Sequence, residues 1–157
     1  MEIDKKDIEI LRVLSKNGRA QISEISKETN IPRITVYNRL QKLFKDNIIK
    51  KIIPLLNYKS FGLNVTAFVL VGFSPSFKVS QRAVAKKISV MKNVEEVHII
   101  AGEWDLLVKV RGKTVEEIGD FVVEKLRNIE GVENTMTIVV FETVLDEPLD
   151  IENIRYD

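Results

Sequence analysis

Residues 21–47, QISEISKETNIPRITVYNRLQKLFKDN, hold two short apolar-periodic runs separated by an Asn-Ile-Pro turn. The first run sets Ile22 and Ile25 three apart, on one side of a short helix. Asn30 follows at a place that often needs a positive φ, which Asn tolerates better than most residues. Pro32 suits the first turn of the next helix. That helix is expected to bury Val36, Leu40, Leu43 and Phe44. At about 100° per residue, the opposite side carries Ile34, Asn38, Lys42 and Lys45. Thr35 and Arg39 lie on one flank, Arg33 and Tyr37 on the other. No acidic residue occurs between Ile31 and Lys45.

Upstream, IDKKDIEILRVLSKNG (3–18) gives a further helix with Ile3, Ile8, Leu11 and Leu14 as its apolar stripe. Asp4 is placed to cap its start. Asn17-Gly18 ends it, with Gly18 expected in the left-handed conformation. Three short helices with a tight turn before a basic third describe a helix-turn-helix unit. Such a unit lays its third helix in the major groove, N-terminal residues toward base edges. Arg pairs with guanine, Asn with adenine, and Thr meets a base or a phosphate. Arg33, Thr35, Asn38 and Arg39 are therefore the expected base or adjacent phosphate contacts, with Tyr37 beside them. Gln21, Ser23 and Lys42 are expected on the DNA backbone. The bland reading is a helical bundle with a solvated basic face. Downstream, IIKKIIPLL (48–56) reads as a short strand pair or wing, and NYKSFGLN (57–64) as a turn-rich hinge.

Charge follows the same division. Residues 1–53 carry twelve Lys and Arg against seven Asp and Glu, a net of +5. Residues 54–157 carry twelve against sixteen, a net of −4. A basic first third joined to an acidic remainder suggests two domains with different partners. The chain of 157 residues is 45% hydrophobic and 30% charged, enough for one ordinary core, or for one small and one medium core. It has no Cys and a single His, so disulfides, thiolate chemistry and a structural zinc site are not expected. No cofactor or metal is implied. No signal peptide and no run of about 18 apolar residues is seen, so a cytoplasmic protein that does not enter a membrane is expected.

The second domain reads β-α-β-β-α-β. VTAFVLVGF (65–73) is a strand. VSQRAVAKKISVM (79–91) is a helix with Val84, Ile88 and Met91 inward. VEEVHIIA (94–101) and DLLVKVRG (105–112) are strands meeting at Gly102. TVEEIGDFVVEKLRNI (114–129) is a helix capped by Thr114 or Lys113, and VENTMTIVVFETV (132–144) is the last strand. Asn93 and Gly131 recur at the same place after each helix, where a left-handed cap belongs. Two related βαβ halves describe a ferredoxin-like sandwich. The fold class is thus α+β. Its segments are a winged helix-turn-helix domain (1–53), a hinge (54–63), a ferredoxin-like domain for dimerisation and effector sensing (64–147) and a C-terminal tail (148–157).

A one-sided antiparallel sheet should alternate apolar and polar. The strand 65–73 is apolar on both faces. Two helices cover only one, so a second copy is expected on the other. Val65, Ala67, Val69, Val71, Val139 and Phe141 are assigned to that dimer contact.

Taken together, IDKKDIEILRVLSKNGR, ISEISKETNIPRITVYNRLQKLFKDNIIK, AGEWDLLVKV and GVENTMTIVV resemble the Lrp/AsnC, or feast/famine, family of transcription regulators. The resemblance covers residues 2–147, and the G-x-x-D pattern from Gly102 to Asp105 is its most telling part. It implies dimers joined through the sheets, often octamers, and, as in many members, a response to amino acids. It departs at Asn30 and Asn47, where the family often has Gly. It also implies that Gly102–Asp105 lies where dimers meet and effectors bind. There Gly102 lets backbone approach a ligand, Asp105 accepts from an ammonium group, and Thr135 and Thr137 offer hydroxyls. Glu103, Trp104 and Met136 belong to the same two stretches, Trp104 more as an interface anchor than a clamp. The competing reading gives Gly102 and Asp105 only a turn-shaping role. His98 is read as structural.

Three other functions compete. No nucleophile-base pair, metal cluster or phosphate loop supports an enzyme. An RNA-binding sheet needs aromatics that DLLVKVRG lacks. An architectural DNA-binding protein without an effector is the main alternative.

Overall fold

The computed structural model describes residues 3–75, 78–148 and 151. Most of the expected C-terminal tail lies outside the described residues. The chain divides into two compact units, residues 1–56 with the segment from Leu145 onward, and Asn57–Val144. The expected hinge is therefore split. Tyr58–Phe61 forms a 3-10 turn inside the second unit, where the Arg111 guanidinium stacks 4.1 Å from the Tyr58 ring centroid.

The first unit has three helices, α1 (Lys5–Lys16), α2 (Ile22–Thr29) and α3 (Arg33–Lys45). Asp4 caps α1 by accepting from the Asp7 N–H at 3.1 Å, and the Asp7 carboxylate accepts from the Asp4 N–H in return. Asn30 (φ 55°) closes α2 in the left-handed region, and Asn47 (φ 59°) follows α3 in the same way. The core is Ile10, Val13, Ile25, Ile31, Val36 and Leu43.

Four details differ from expectation. The α1 stripe centres on Ile10 and Val13, with Ile8, Leu11 and Leu14 only partly buried. Phe44 is 43% exposed, because it lies off the Val36–Leu43 line. Gly18 does not adopt a positive φ; a Cβ there would lie 3.0 Å from the Ile52 side chain, so close approach explains it better. Residues 50–57 form no strand, so the expected strand pair or wing has no hydrogen-bonded ladder there.

The second unit runs β1 (Val65–Phe73), α4 (Gln81–Ser89), β2 (Val94–Ile99), β3 (Leu106–Gly112), α5 (Val115–Asp120) and β4 (Val132–Val139). A π-helical turn at Phe121–Leu126 extends α5. The sheet is antiparallel in the order β2-β3-β1-β4. Ser80 and Thr114 cap α4 and α5, each accepting from the backbone N–H three residues on. Asn93 (φ 69°) and Gly131 (φ 98°) make the two left-handed turns after the helices. A Cβ on Gly131 would come within 2.8–3.1 Å of Val84, Val79 and Phe73, so packing as well as φ requires glycine.

The register sorts the sheet into rows. Val94–Val110–Ala67–Val139, Val97–Val108–Val69–Thr137 and Ile99–Leu106–Val71–Thr135 point one way. Their central members pack on Val84 and Ile88 of α4 and on Ile118, Val122 and Leu126. Ala67, Val69 and Val71 are fully buried there. This reverses the expected assignment of the strand's two faces. The set given to a partner is the one the chain's own helices cover, and Val65 packs against the same core. Val139 shares that side, and Phe141 lies beyond β4, fully exposed.

Candidate nucleic-acid interface and effector turn

The turn from α2 to α3 is three residues long, Asn30 to Pro32. Pro32 accepts from the Thr35 and Val36 N–H groups, which starts α3 without a side-chain cap. Val36 and Leu43 anchor α3 inward. The outward side is left to solvent. Arg33, Tyr37, Asn38 and Lys42 are exposed, as are Ile34 and Lys45, and Thr35 is half-buried. Arg33, Asn38 and Lys42 make no ion pair or side-chain hydrogen bond among the described residues. Gln21 and Ser23 stand at the start of α2, where the Gln21 N–H donates to Glu24 at 2.7 Å.

Arg39 departs from this group. Its guanidinium turns back to α1, hydrogen-bonded to Asp4 and 3.1 Å from Asp7 Oδ1. Only 28% of its side chain is exposed, and that of Asp7 is fully buried. Arg39 and, after it, the Asp7 N–H hold the Asp4 carboxyl below its ordinary range. Arg39 is thus engaged inside the unit, unlike the exposed Arg33, Asn38 and Lys42. The sequence carried one signal for this: Asp7 sits three residues before Ile10 and six before Val13, on the buried side of α1.

In the second unit, Gly102 (φ 136°) turns the chain between β2 and β3. The Asp105 N–H donates to the Val71 carbonyl, and the Asp105 carbonyl accepts from Ile100. The Asp105 carboxylate accepts from the Phe73 N–H at 2.8 Å with Oδ2 and from the Gln81 amide at 2.9 Å with Oδ1. It therefore ties the turn to the end of β1 and the start of α4. Gly102 and Glu103 are exposed, and Trp104 and Asp105 half-buried. Thr135 pairs with Val71, so it lies at the same end of the sheet as Asp105 but one strand beyond β1. Its hydroxyl accepts from Arg127 Nε at 2.8 Å. Thr137 lies two residues farther along, and Met136 points to the opposite side of the sheet. Gln81 and Arg127 were not expected near these stretches; neither has a local sequence signal.

The uncovered side of the sheet carries the rows His98–Leu107–Leu70–Met136 and Glu96–Lys109–Phe68–Ile138, then Arg111–Thr66. Met136 and Ile138 are 44% and 45% exposed. Toward β2 the face turns ionic. Lys109 Nζ lies 3.2 Å from Glu96 and 3.4 Å from Glu95, and Arg111 Nε lies 2.6 Å from Glu95. His98 meets Glu96 at 3.0 Å, and with Lys109 it holds that carboxyl below its usual range. His98 and Glu96 are both exposed there.

The comparisons with known proteins follow the same division. The family model for the Lrp/AsnC ligand binding domain matches residues 66–150. A model for winged helix-turn-helix DNA-binding matches residues 3–50. An uncharacterized HTH-type transcriptional regulator of Pyrococcus furiosus is 45% identical over 92% of this chain and 97% of its own. The HTH-type transcriptional regulator FL11 of the same organism is 36% identical over 90% of this chain and 89% of its own. Among solved structures, a transcriptional regulator of Neisseria meningitidis in complex with L-Met is 25% identical, with a TM-score of 0.83, over 92% of this chain and 93% of that one. AsnC of E. coli, 20% identical, shares the fold at a TM-score of 0.85 over 96% of this chain and 99% of that one.

Proposed function

The chain belongs to the Lrp/AsnC family of helix-turn-helix transcriptional regulators, and we propose that it is a dimer that binds specific duplex sequences and answers to a small effector. The relatives are regulators, a non-enzymatic class. One observation carries the DNA-reading surface. The outward side of α3 presents Arg33, Tyr37, Asn38 and Lys42 to solvent on a helix without a single acidic residue. Buried neighbours fix the helix, and the polar side chains are left for another molecule. Arg33 and Asn38, near its N-terminus, are the base-edge candidates, with Thr35 beside them. Lys42, Gln21 and Ser23 suit phosphates. No helix among the described residues is long and apolar enough to cross a membrane. As a DNA-binding regulator, the chain is inferred to act in the cytoplasm, where its DNA is.

The dimer contact moves to the uncovered side of the sheet, centred on Phe68, Leu70, Met136 and Ile138. An apolar sheet face is a poor solvent surface, and an isologous contact between two copies covers both at once. Two recognition helices then meet a palindromic site. The family adds a higher assembly, up to an octamer.

For the effector we infer an amino acid or similar small zwitterion near Gly102–Asp105, Thr135 and Thr137. The family's ligand-binding domain and the L-Met complex of the Neisseria relative support this. Asp105 then acts by holding the turn in place, since both its oxygens already accept hydrogen bonds. Exposed backbone at Gly102 and Glu103 is freer to meet a ligand. Selection of duplexes from a random pool, with and without each amino acid, tests the whole reading. Recovery of one enriched motif, with affinity altered by some amino acid, is expected. Unchanged affinity with all of them leaves an architectural DNA-binding protein, and no enriched motif contradicts sequence-specific binding.

A further inference from the structure

Arg39 lies on α3 yet makes its bonds to α1, where two carboxylates face one guanidinium nitrogen. Each of the two carboxylates is divided between two tasks. Asp4 Oδ1 and Asp7 Oδ2 serve the reciprocal cap of α1, accepting from the Asp7 and Asp4 N–H groups at 3.1 Å. Asp4 Oδ2 and Asp7 Oδ1 both face the same guanidinium nitrogen, Arg39 Nη1. Asp7 is fully buried, and its Oδ1 has no hydrogen bond of good geometry. A buried carboxylate in that state depends on a nearby cation. Arg39 supplies the cation from 35 residues along the chain relative to Asp4.

We propose that the Asp4–Asp7–Arg39 cluster is a positioning device for DNA recognition, fixing the orientation of α3 against the start of α1. The inference rests on the DNA-binding reading of α3. Apolar contacts at Val36 and Leu43 hold α3 to the core, but such contacts are non-directional. An ion pair that shares its oxygens with a helix cap has defined direction and fixes rotation about the helix axis. Arg33 and Asn38 are carried on that same helix, so their aim at base edges follows the clamp. Arg39 itself touches no DNA.

Salt dependence separates a positioning residue from a phosphate contact. Each lost phosphate contact lowers the salt slope of binding by about one. The probe is a duplex selected by the wild-type protein from a random pool. Arg39→Met should weaken binding by about tenfold or more, roughly 1.4 kcal/mol per factor of ten, with the salt slope unchanged. Arg39→Lys should recover part of the loss, because one ammonium can reach one of the two carboxylates. Should Arg39→Met fail to fold, Asp4→Asn decides the matter. Asn keeps the N-cap, and Asp4 is half exposed. Removing an acidic group close to DNA should strengthen binding by simple electrostatics. The positioning role requires the opposite sign, weaker binding at an unchanged salt slope. A slope lowered by about one in Arg39→Met, or equal or tighter binding by Asp4→Asn, overturns the proposal while leaving the DNA-binding reading intact. A wild-type protein that retains no duplex overturns both.

Discussion

The two units each fill one core and leave one surface, and the surfaces differ in chemistry. In the first unit, the outward side of α3 is polar and basic, with Arg33, Asn38 and Lys42 exposed. In the second, the uncovered side of the sheet is apolar along Phe68, Leu70, Met136 and Ile138 and ionic toward β2. Basic, hydrogen-bonding side chains at fixed spacing suit a polyanion with readable edges. A flat apolar face suits its own copy. One chain thereby carries two interaction chemistries on two separately cored units.

The largest effect comes from putting a charge on the covered side of the sheet. Val69→Asp should cost more than about 4 kcal/mol, because a fully buried carboxylate there has no partner. Thermal denaturation followed by circular dichroism should show the second unit unfolded. The matching change on the uncovered side, Ile138→Asp, should leave the fold intact and shift sedimentation from dimer to monomer. If Ile138→Asp remains dimeric, the comparison of the two faces breaks.

A smaller effect is expected at the Gly102–Asp105 turn. Asp105→Ala removes the acceptor for the Phe73 N–H and the Gln81 amide, a cost of about 1–3 kcal/mol. Asp105→Asn should cost less than about 1 kcal/mol, since its carbonyl can accept from Phe73 while Gln81 presents its oxygen to the new amide. If effector heat in calorimetry survives Asp105→Asn, the carboxylate positions the turn. Its loss with an unchanged melting temperature would give Asp105 a direct charge on the ligand.

The smallest effect is a pH dependence in the first unit. Asp4 titrates below its ordinary value in the folded chain, chiefly through Arg39. Its contribution is fully present above the unfolded carboxylate value of about 4. It is lost as pH falls through the lowered value. Melting curves taken down the acid range should show this loss in the wild type and less of it in Asp4→Asn. The half-exposed position of Asp4 keeps the effect modest.

Local chemistry was legible in the sequence, and pairing across the chain was not. Asn30, Asn93 and Gly131 announced left-handed turns, and Asp4 and Thr114 announced caps, because those conformations depend on a few adjacent residues. The β-α-β-β-α-β order followed from apolar runs, helical periodicity and the caps and turns between them. The two faces of β1 were told apart by parity, but both were apolar, and period two does not say which one the helices cover. Arg39 read as a DNA contact because the wheel shows only its own helix, and its partners lie on α1. Asp105 is the same case, bound to groups 24 and 32 residues away. Gly18 is explained by Ile52, which no local rule would connect to it.

DNA reading is assigned to the outward side of α3. The most direct measurement is the affinity and salt slope of an Arg33→Ala, Asn38→Ala, Lys42→Ala triple variant on a duplex selected by the wild type. Each lost base contact costs about 1–3 kcal/mol, and each lost phosphate contact lowers the slope by about one. Binding should weaken by at least about a hundredfold, with a reduced slope and an unchanged melting temperature, since the three side chains are exposed. Wild-type affinity and slope in a folded triple variant would contradict it.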